Sequence, residues 1–566
     1  MTQAERGTLQ TPVASTRPSV STVSVVLLVV ITGVGVGVRV PGWQGGGLYY
    51  DDAWFALPSR VPLSTALHMI VTAPGYTLLQ AGWIHLAPSS TRFAMLLPLL
   101  AACAAVPLAF VMGRTFRFPT WASLVIAALV AAEPVAIEYA TRVKSYEAEL
   151  VIAIVVLATA EVVRRRRTTA AIVSFGVLSV GAIVMSTALI AVVAGCWVAL
   201  IVVAILDRRQ LRSVLVTALV AGLCSVPVVL WITAKIPPAL TAFWVGNDRL
   251  VAAPFSPHHL IRVLAVSGGG FLHGVIGTPM PQPAGGVDSL GIGDVVLLGL
   301  ASALALALLV VLSLPTLRAV ATRDPSSPDL AQLAPVMVIL IAFLEFLVGI
   351  VPLGTGRTDL YLLPAVLVLV GAGLVRLAAW VAVRTPPGRS ARIGVALAVG
   401  AGLLGTALAW HQRAWYPVQA VAQLEAEMST ATSNAHPVEV ITYRNSFTWA
   451  FDRLSPFRVH FSRTAPAAST VGYWVTFADP HVRAQLAGSG EIPGLRSLKG
   501  TNDLWLVGTT AATLQPSTIH PVGRAAEVAV PTGAAAIIES EGWHATTTTV
   551  RAPGVVAQLF VRSARP

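Results

Sequence analysis

Eleven apolar runs, each near the length that crosses a bilayer, occupy most of the first 410 residues of this 566-residue chain. They cover residues 20–40, 93–111, 120–137, 146–163, 168–185, 187–206, 214–232, 295–314, 333–351, 360–381 and 393–410. Crossing the hydrocarbon core takes roughly 20 residues of helix. Helix is the form a lone segment must take there, since lipid offers its backbone no hydrogen bonds. The pattern therefore predicts a mainly α fold, a polytopic transmembrane helix bundle of about eleven helices. Composition agrees. Only 11% of residues are charged and 55% are hydrophobic, whereas an average soluble domain carries about 25% charged residues. The first run follows a polar leader with Arg6 and Arg17. It is too long for a signal-peptide core and has no convincing small-residue cleavage site, so it reads as a retained helix.

The net charge of +12 suggests nucleic acid until its placement is examined. Only Lys144, Lys235 and Lys499 are lysines, and most arginines lie in short runs between apolar segments. A nucleic-acid surface would be one contiguous basic stripe. Arg114 and Arg117, Arg164 to Arg167, Arg208, Arg209 and Arg212, Arg318 and Arg323, and Arg384, Arg389 and Arg392 all fall on alternate loops. Short Arg-rich loops stay in the cytoplasm. This predicts a multi-pass plasma-membrane protein with a cytoplasmic N-terminal tail (1–19), a membrane domain (20–412) and an extracytoplasmic soluble domain (413–566). Cys103, Cys196 and Cys224 lie inside apolar runs and read as small buried hydrophobes.

The opposite face receives two long loops, 41–92 and 233–294, and short turns near 139–145 and 352–359. Loops of that size usually carry function or short interfacial helices. Beyond residue 413, 418–428 reads as a helix, and 438–443, 472–477, 504–507 and 555–561 alternate as strands do. A small α/β domain is expected there, without zinc spacing, a phosphate-cradling glycine loop or a nucleophile triad.

Three polar clusters lie on the outer side. The first is Tyr49-Tyr50-Asp51-Asp52-Ala53-Trp54, just past the first span. Carboxylates at a helix mouth suit the handling of a proton, a cation or a hydroxyl. They also read as solvated loop acids, with Tyr50, Trp54 and Phe55 as an interfacial belt. The second runs from Tyr139 through Arg142, Lys144, Tyr146 and Glu147 to Glu149. Its cations sit against the positive-inside bias and need an anion, either a ligand or Glu138, Glu147 or Glu149. The third is Gly354-Thr355-Gly356-Arg357-Thr358-Asp359-Leu360-Tyr361. Together Arg142, Lys144 and Arg357 suggest a site for phosphate, to which arginine offers paired donors. His258, His259 and His273 lack acids or thiols at ligand spacing and read as structural or interfacial. Glu345 lies within a span and must face the bundle interior or a partner.

These residues resemble the GT-C glycosyltransferases, in particular the bacterial dolichyl-phosphate-mannose-protein mannosyltransferase-like branch. Asp51-Asp52-Ala53-Trp54 is similar to the family's acidic pair before an aromatic, and Ala73-Pro74-Gly75-Tyr76 to its Pro-Pro-Leu-Tyr segment. Arg92 through Pro98 leads to Gly113-Arg114 as in its second span, and Lys144-Ser145-Tyr146-Glu147-Ala148-Glu149 is similar to a Lys-x-Tyr-x-x-Asp pattern. Arg357, Tyr361 and Pro364 sit where the family often has Arg before an aromatic-Leu-Leu-Pro stretch. The likeness covers mainly residues 20–165 and, more weakly, 350–370. Gly75 replaces the second proline and Glu149 the commoner aspartate.

The resemblance implies transfer of a sugar, with inversion, from a polyprenyl-phosphate donor to a glycan, lipoglycan or protein outside the cytoplasm. It implies Asp51 as general base, with Asp52 orienting the acceptor or sharing that role. It implies Arg142, Lys144 and Arg357 on the donor phosphate, and Tyr146, Glu149, Tyr50, Trp54 and Tyr361 around sugar and acceptor. Arg and Lys supply the countercharge, so no metal and no other cofactor is expected. Two other classes compete: a lipid or solute flippase, which usually shows internal repeats and broken helices near the midplane, and a noncatalytic envelope assembly protein.

Overall fold

The computed structural model describes residues 21–44, 74–87, 91–208, 210–236, 257–276, 292–354 and 357–384, with shorter stretches elsewhere. Among the described residues, thirteen helices belong to the membrane part: α1 (Thr22–Gln44), α2 (Pro74–His85), α3 (Thr91–Thr115), α4 (Thr120–Ala132), α5 (Pro134–Tyr139), α6 (Tyr146–Arg166), α7 (Thr169–Met185), α8 (Ile190–Asp207), α9 (Leu211–Thr233), α10 (Pro257–Ile276), α11 (Ile292–Ala321), α12 (Leu333–Leu347) and α13 (Leu363–Arg384). Among the described residues, seven segments are long and apolar enough to cross a membrane, and α4, α7 and part of α10 are shorter apolar helices. The protein is a multi-pass membrane protein.

Little of α1, α9 and α11 is buried, and their exposed valines and leucines form a lipid-facing belt. Much more of α3, α8 and α13 is enclosed, and the core forms around Ala105, Ile126, Leu150, Leu157, Trp197 and Val368. α3 packs against α1, α4 and α6, while α8 packs against α12 and α6. A 3-10 turn, Arg357–Leu362, opens the way into α13 and packs against α6 and α10.

Three spans depart from their predicted form. The run 120–137 is two helices, because Pro134 has no N–H to continue the ladder and Glu133 turns extended (φ −65°, ψ 119°). The run 295–314 belongs to a 30-residue helix that continues through Pro315. Within the long loop 233–294, α10 packs lengthwise on α11. Most of the run 393–410 lies outside the described residues.

Beyond the bundle, α14 (Val421–Ala431) packs on a sheet that has five strands among the described residues: β1 (Glu439–Thr442), β2 (Arg458–Phe461), β3 (Asp503–Thr509), β4 (Trp543–Ala552) and β5 (Val555–Arg562). Their order is β2-β1-β3-β5-β4, with β1 parallel to β2 and β3, and β5 antiparallel to β3 and β4. Leu504, Leu506, Trp543 and Phe560 form its buried core. β2 and β4 are additional to the strands read from sequence, and the strand expected at 472–477 lies outside the described residues.

Candidate active site

Those of the polar residues singled out by sequence that are described gather at the end of the bundle opposite the arginine clusters. α5 ends at Tyr139, and a turn follows in which the Arg142 N–H donates to the Tyr139 carbonyl (3.1 Å) and the Lys144 N–H to the Arg142 carbonyl (2.7 Å). This turn presents two buried cations. Arg142 donates through Nε to Asp52 Oδ2 at 2.7 Å, with side-chain exposures of only 7% and 2%. Its guanidinium also lies 5.8 Å from the centroid of the Tyr139 ring. Lys144 places Nζ 4.1 Å from the centroid of the Phe55 ring. Asp52 and Phe55 belong to the segment joining α1 to α2, so an ion pair and a cation–π contact fasten that segment to the basic turn. The partner of Arg142 is thus Asp52, ninety residues away, in addition to whatever Glu138, Glu147 and Glu149 contribute locally.

Glu149, in the first turn of α6, is buried and accepts two hydrogen bonds at Oε1, from Ser145 Oγ (2.6 Å) and Ser186 Oγ (2.7 Å). Ser186 stands at the break between α7 and α8, and nothing in its local sequence singles it out. Tyr361 is buried in the 3-10 turn within the fields of Asp359 and Glu149. Asp359 holds that turn by accepting from the Gly354 N–H (2.8 Å), whose residue adopts φ +79°, a left-handed conformation that favours glycine. Tyr146 packs edge-on to Tyr139, ring centroids 5.1 Å apart.

Tyr76 is a further member. It lies buried on α2, donates weakly to Gln80 Oε1 (3.3 Å), and Gln80 donates in turn to the Ala94 carbonyl (2.8 Å). Burial pushes its phenol well above the ordinary tyrosine range, and the Asp52, Glu149 and Glu147 carboxylates push it further. Glu147 itself is fully buried, with neither carboxylate oxygen hydrogen-bonded among the described residues. Among the described residues no three His, Cys, Asp or Glu side chains converge as metal ligands would. Asp51, Tyr50 and Trp54 lie outside the described residues. Arg357 begins the 3-10 turn, and its side chain lies outside them as well.

Beside this polar cluster is an apolar cavity of about 720 Å³ between α10, α11 and α12, lined by residues such as Phe271, Leu306, Val310, Phe343, Phe346 and Leu362. Its lining on α11 runs from Val296 to Leu317, a rise of about 30 Å at 1.5 Å per residue. Two of the hydroxyls on its wall already donate to backbone carbonyls, Ser302 to Leu298 and Ser313 to Leu309. The 3-10 turn separates the two regions: Leu362 lines the cavity while Tyr361, next to it, lies in the field of Glu149.

No protein-family model matches the sequence, and no curated protein matches it. Among solved structures, the chain is similar to ArnT from Cupriavidus metallidurans in the apo state and bound to undecaprenyl phosphate. In both cases identity is 14%, the TM-score is 0.52, and 95% of this chain and 98% of that chain are covered. The oligosaccharyltransferase of Archaeoglobus fulgidus, in complex with Zn and sulfate, gives a TM-score of 0.42 at 13% identity over 85% of this chain and 67% of that one. The likeness to ArnT is one of fold. The chain has the GT-C fold that the sequence motifs implied.

Proposed function

We propose that this GT-C-fold protein is a membrane glycosyltransferase that moves a sugar from a polyprenyl-phosphate donor to an acceptor hydroxyl on the extracytoplasmic side. The observation that carries the reading is the junction just described: a buried acid–cation cluster lies beside an apolar cavity about as long as a membrane is thick. A lipid with a charged head and a long apolar tail matches both halves. The crystal structure of ArnT bound to undecaprenyl phosphate supports the same lipid class on this fold.

In this reading the tail lies in the cavity, and Arg142, Lys144 and Arg357 hold the phosphate. The acceptor oxygen attacks the anomeric carbon from the opposite face and inverts it, and its proton passes to Asp51. The bond from that carbon to the phosphate oxygen breaks, leaving the electron pair on the phosphate. Fixed cations that meet this developing charge need no reorganisation as it forms. Asp52, already joined to Arg142, holds that cation in place, which leaves the base role to its neighbour. Glu149, Tyr146 and Tyr361 border the sugar, with Tyr50 and Trp54 toward the acceptor. The donor is a hexose or a pentose, mannosyl and arabinosyl being the first to try. The acceptor is a cell-envelope glycan, a lipoglycan or a protein, held by the domain at 413–566.

The test is transfer by purified protein in lipid nanodiscs from radiolabelled polyprenyl-phosphate mannose or arabinose, with envelope extract as acceptor. Asp51→Asn is expected to lower transfer by about 10²–10⁴, the usual worth of general-base assistance, while the protein remains monodisperse. Lys144→Glu is expected to weaken donor binding about tenfold or more, as loss of a charge-assisted contact implies. Undiminished transfer by Asp51→Asn would remove the base, and failure of wild-type protein with both donors would remove the donor class.

A further inference from the structure

Arg39 is the most deeply enclosed cation among the described residues, 1% exposed in the last turns of α1, and the proposed reaction gives it no part. Its hydrogen bonds explain its position. Nη2 donates to the Val130 carbonyl (3.0 Å), and Nη1 to the Ala131 carbonyl (2.8 Å) and to Gly35 on its own helix (2.9 Å). In a continuous helix the Val130 carbonyl would accept from the N–H of residue 134, but that residue is proline and has none. The guanidinium supplies the missing donor, and its charge suits the negative end of α4. Glu133, at the break itself, and Glu147 lie in its field.

The same face of α1 touches the start of the basic turn. Gly35, Arg39 and Gly42 follow one another at spacings of four and three, one side of a helix. A Cβ on Gly35 would lie 3.2 Å from Ala131 Cβ, and one on Gly42 would lie 2.7 Å from Thr141 Oγ1. Thr141 precedes Arg142. Gly33 and Gly37, on other sides of the helix, have nothing within 4 Å. Beyond this joint the two chain segments meet again at the 2.7 Å contact between Asp52 and Arg142.

We infer that Arg39 is a positioning residue. By joining α1 to the broken end of α4, with Gly42 seated on Thr141, it sets Arg142 at the place where the donor phosphate is held. The inference rests on the proposed transferase reading and assigns α1 a role in donor affinity beyond that of a membrane anchor.

Donor KM and kcat are measured for Arg39→Met, Gly42→Val and Gly37→Val. The first two are expected to raise donor KM about tenfold, less than the roughly 10²-fold that a misplacement of about 1 Å can cost, with kcat little changed, while Gly37→Val alters neither. A fall in kcat at unchanged KM, the mark of a smaller folded fraction, would overturn the inference. A second measurement needs no activity. The Cβ built on Gly42 lies 3.6 Å from Thr141 Cβ, within the span of about 3.5–4.5 Å that a disulfide bridges. In a background with Cys103→Ser, since Cys103 packs with Trp43 and Ala140 at this joint, Gly42→Cys with Thr141→Cys is expected to cross-link under mild oxidation. Gly37→Cys with Thr141→Cys is not. Adding Arg39→Met is expected to slow the cross-link about tenfold. An unchanged rate would remove the positioning role even if wild-type protein transfers sugar, and a slowed rate upholds it even if both donors fail.

Discussion

Removing the Asp52 carboxylate leaves the Arg142 guanidinium enclosed beside a tyrosine ring, with one fewer of the hydrogen bonds that offset its desolvation. Breaking a buried pair from one side costs about 3–5 kcal/mol, largely for the charge left behind, while removing both partners costs far less. Asp52→Ala and Arg142→Met are therefore each expected to lower stability on that scale in detergent unfolding, and the double variant to lose less than the two losses combined. Strict additivity would mean that the pair is not coupled. The ingredients of this site were legible in sequence: adjacent acids past the first span, and two cations where positive-inside bias disfavours them. The pairing was less so. Local spacing offered Glu138, Glu147 and Glu149 to Arg142, but residues 140–145 form a turn whose cation points toward a chain segment ninety residues away. Ser186 was invisible for a different reason. A single hydroxyl between two apolar runs looks like any connector until Glu149 is seen to accept from it.

At the scale of elements, long apolar runs translate into helices with little ambiguity, and errors gather where a run conceals a break. Val135, Ala136 and Ile137 continue the apolar pattern of α4, yet the proline before them has already ended its hydrogen-bond ladder. In α10, by contrast, three consecutive glycines, Gly268, Gly269 and Gly270, lie within one helix. Gly75 shows how a departure from a family pattern becomes intelligible in three dimensions. A Cβ there would lie 2.6 Å from the Val184 carbonyl oxygen and 3.0 Å from Met185 Cα, both backbone, so the start of α2 rests directly on the end of α7. Gly75→Ala is expected to lift α2, and with it Tyr76 and Gln80, away from the acid cluster. Hydrogen exchange should then rise about tenfold across residues 76–85, the signature of a local opening about 1.4 kcal/mol easier, with residues 95–110 of α3 unchanged. Unchanged exchange in α2 would show that α7 yields instead.

For the molecule as a whole, the arrangement of charge argues for one orientation in the membrane. Arg117, Arg167, Arg208 and Arg323 all adopt left-handed backbone conformations (φ 52–61°) just beyond the C-terminal ends of α3, α6, α8 and α11. Each ends its helix and places a cation near the negative pole of the helix dipole. Buried Glu161 binds Arg164 and Arg165, and Arg167 pairs with Asp207, so this end of the bundle stays strongly basic even after its internal pairing. The cytoplasmic leaflet is the anionic one, and near its surface each Lys or Arg gains about 1 kcal/mol. The acid–cation cluster lies at the other end, so an orientation with the arginines inside would put the proposed chemistry outside the cell. Labelling of intact cells with a membrane-impermeant maleimide tests this directly. Ser326→Cys, exposed between α11 and α12, is expected to react only after permeabilisation. Thr233→Cys at the end of α9 and Thr549→Cys on β4, both exposed, are expected to react in intact cells. If Ser326→Cys reacts and Thr233→Cys is protected, the bundle is inverted and the donor would have to be used on the cytoplasmic face. If Thr549→Cys is protected together with Ser326→Cys while Thr233→Cys reacts, the bundle keeps its orientation, but the terminal domain lies inside and cannot hold an extracytoplasmic acceptor.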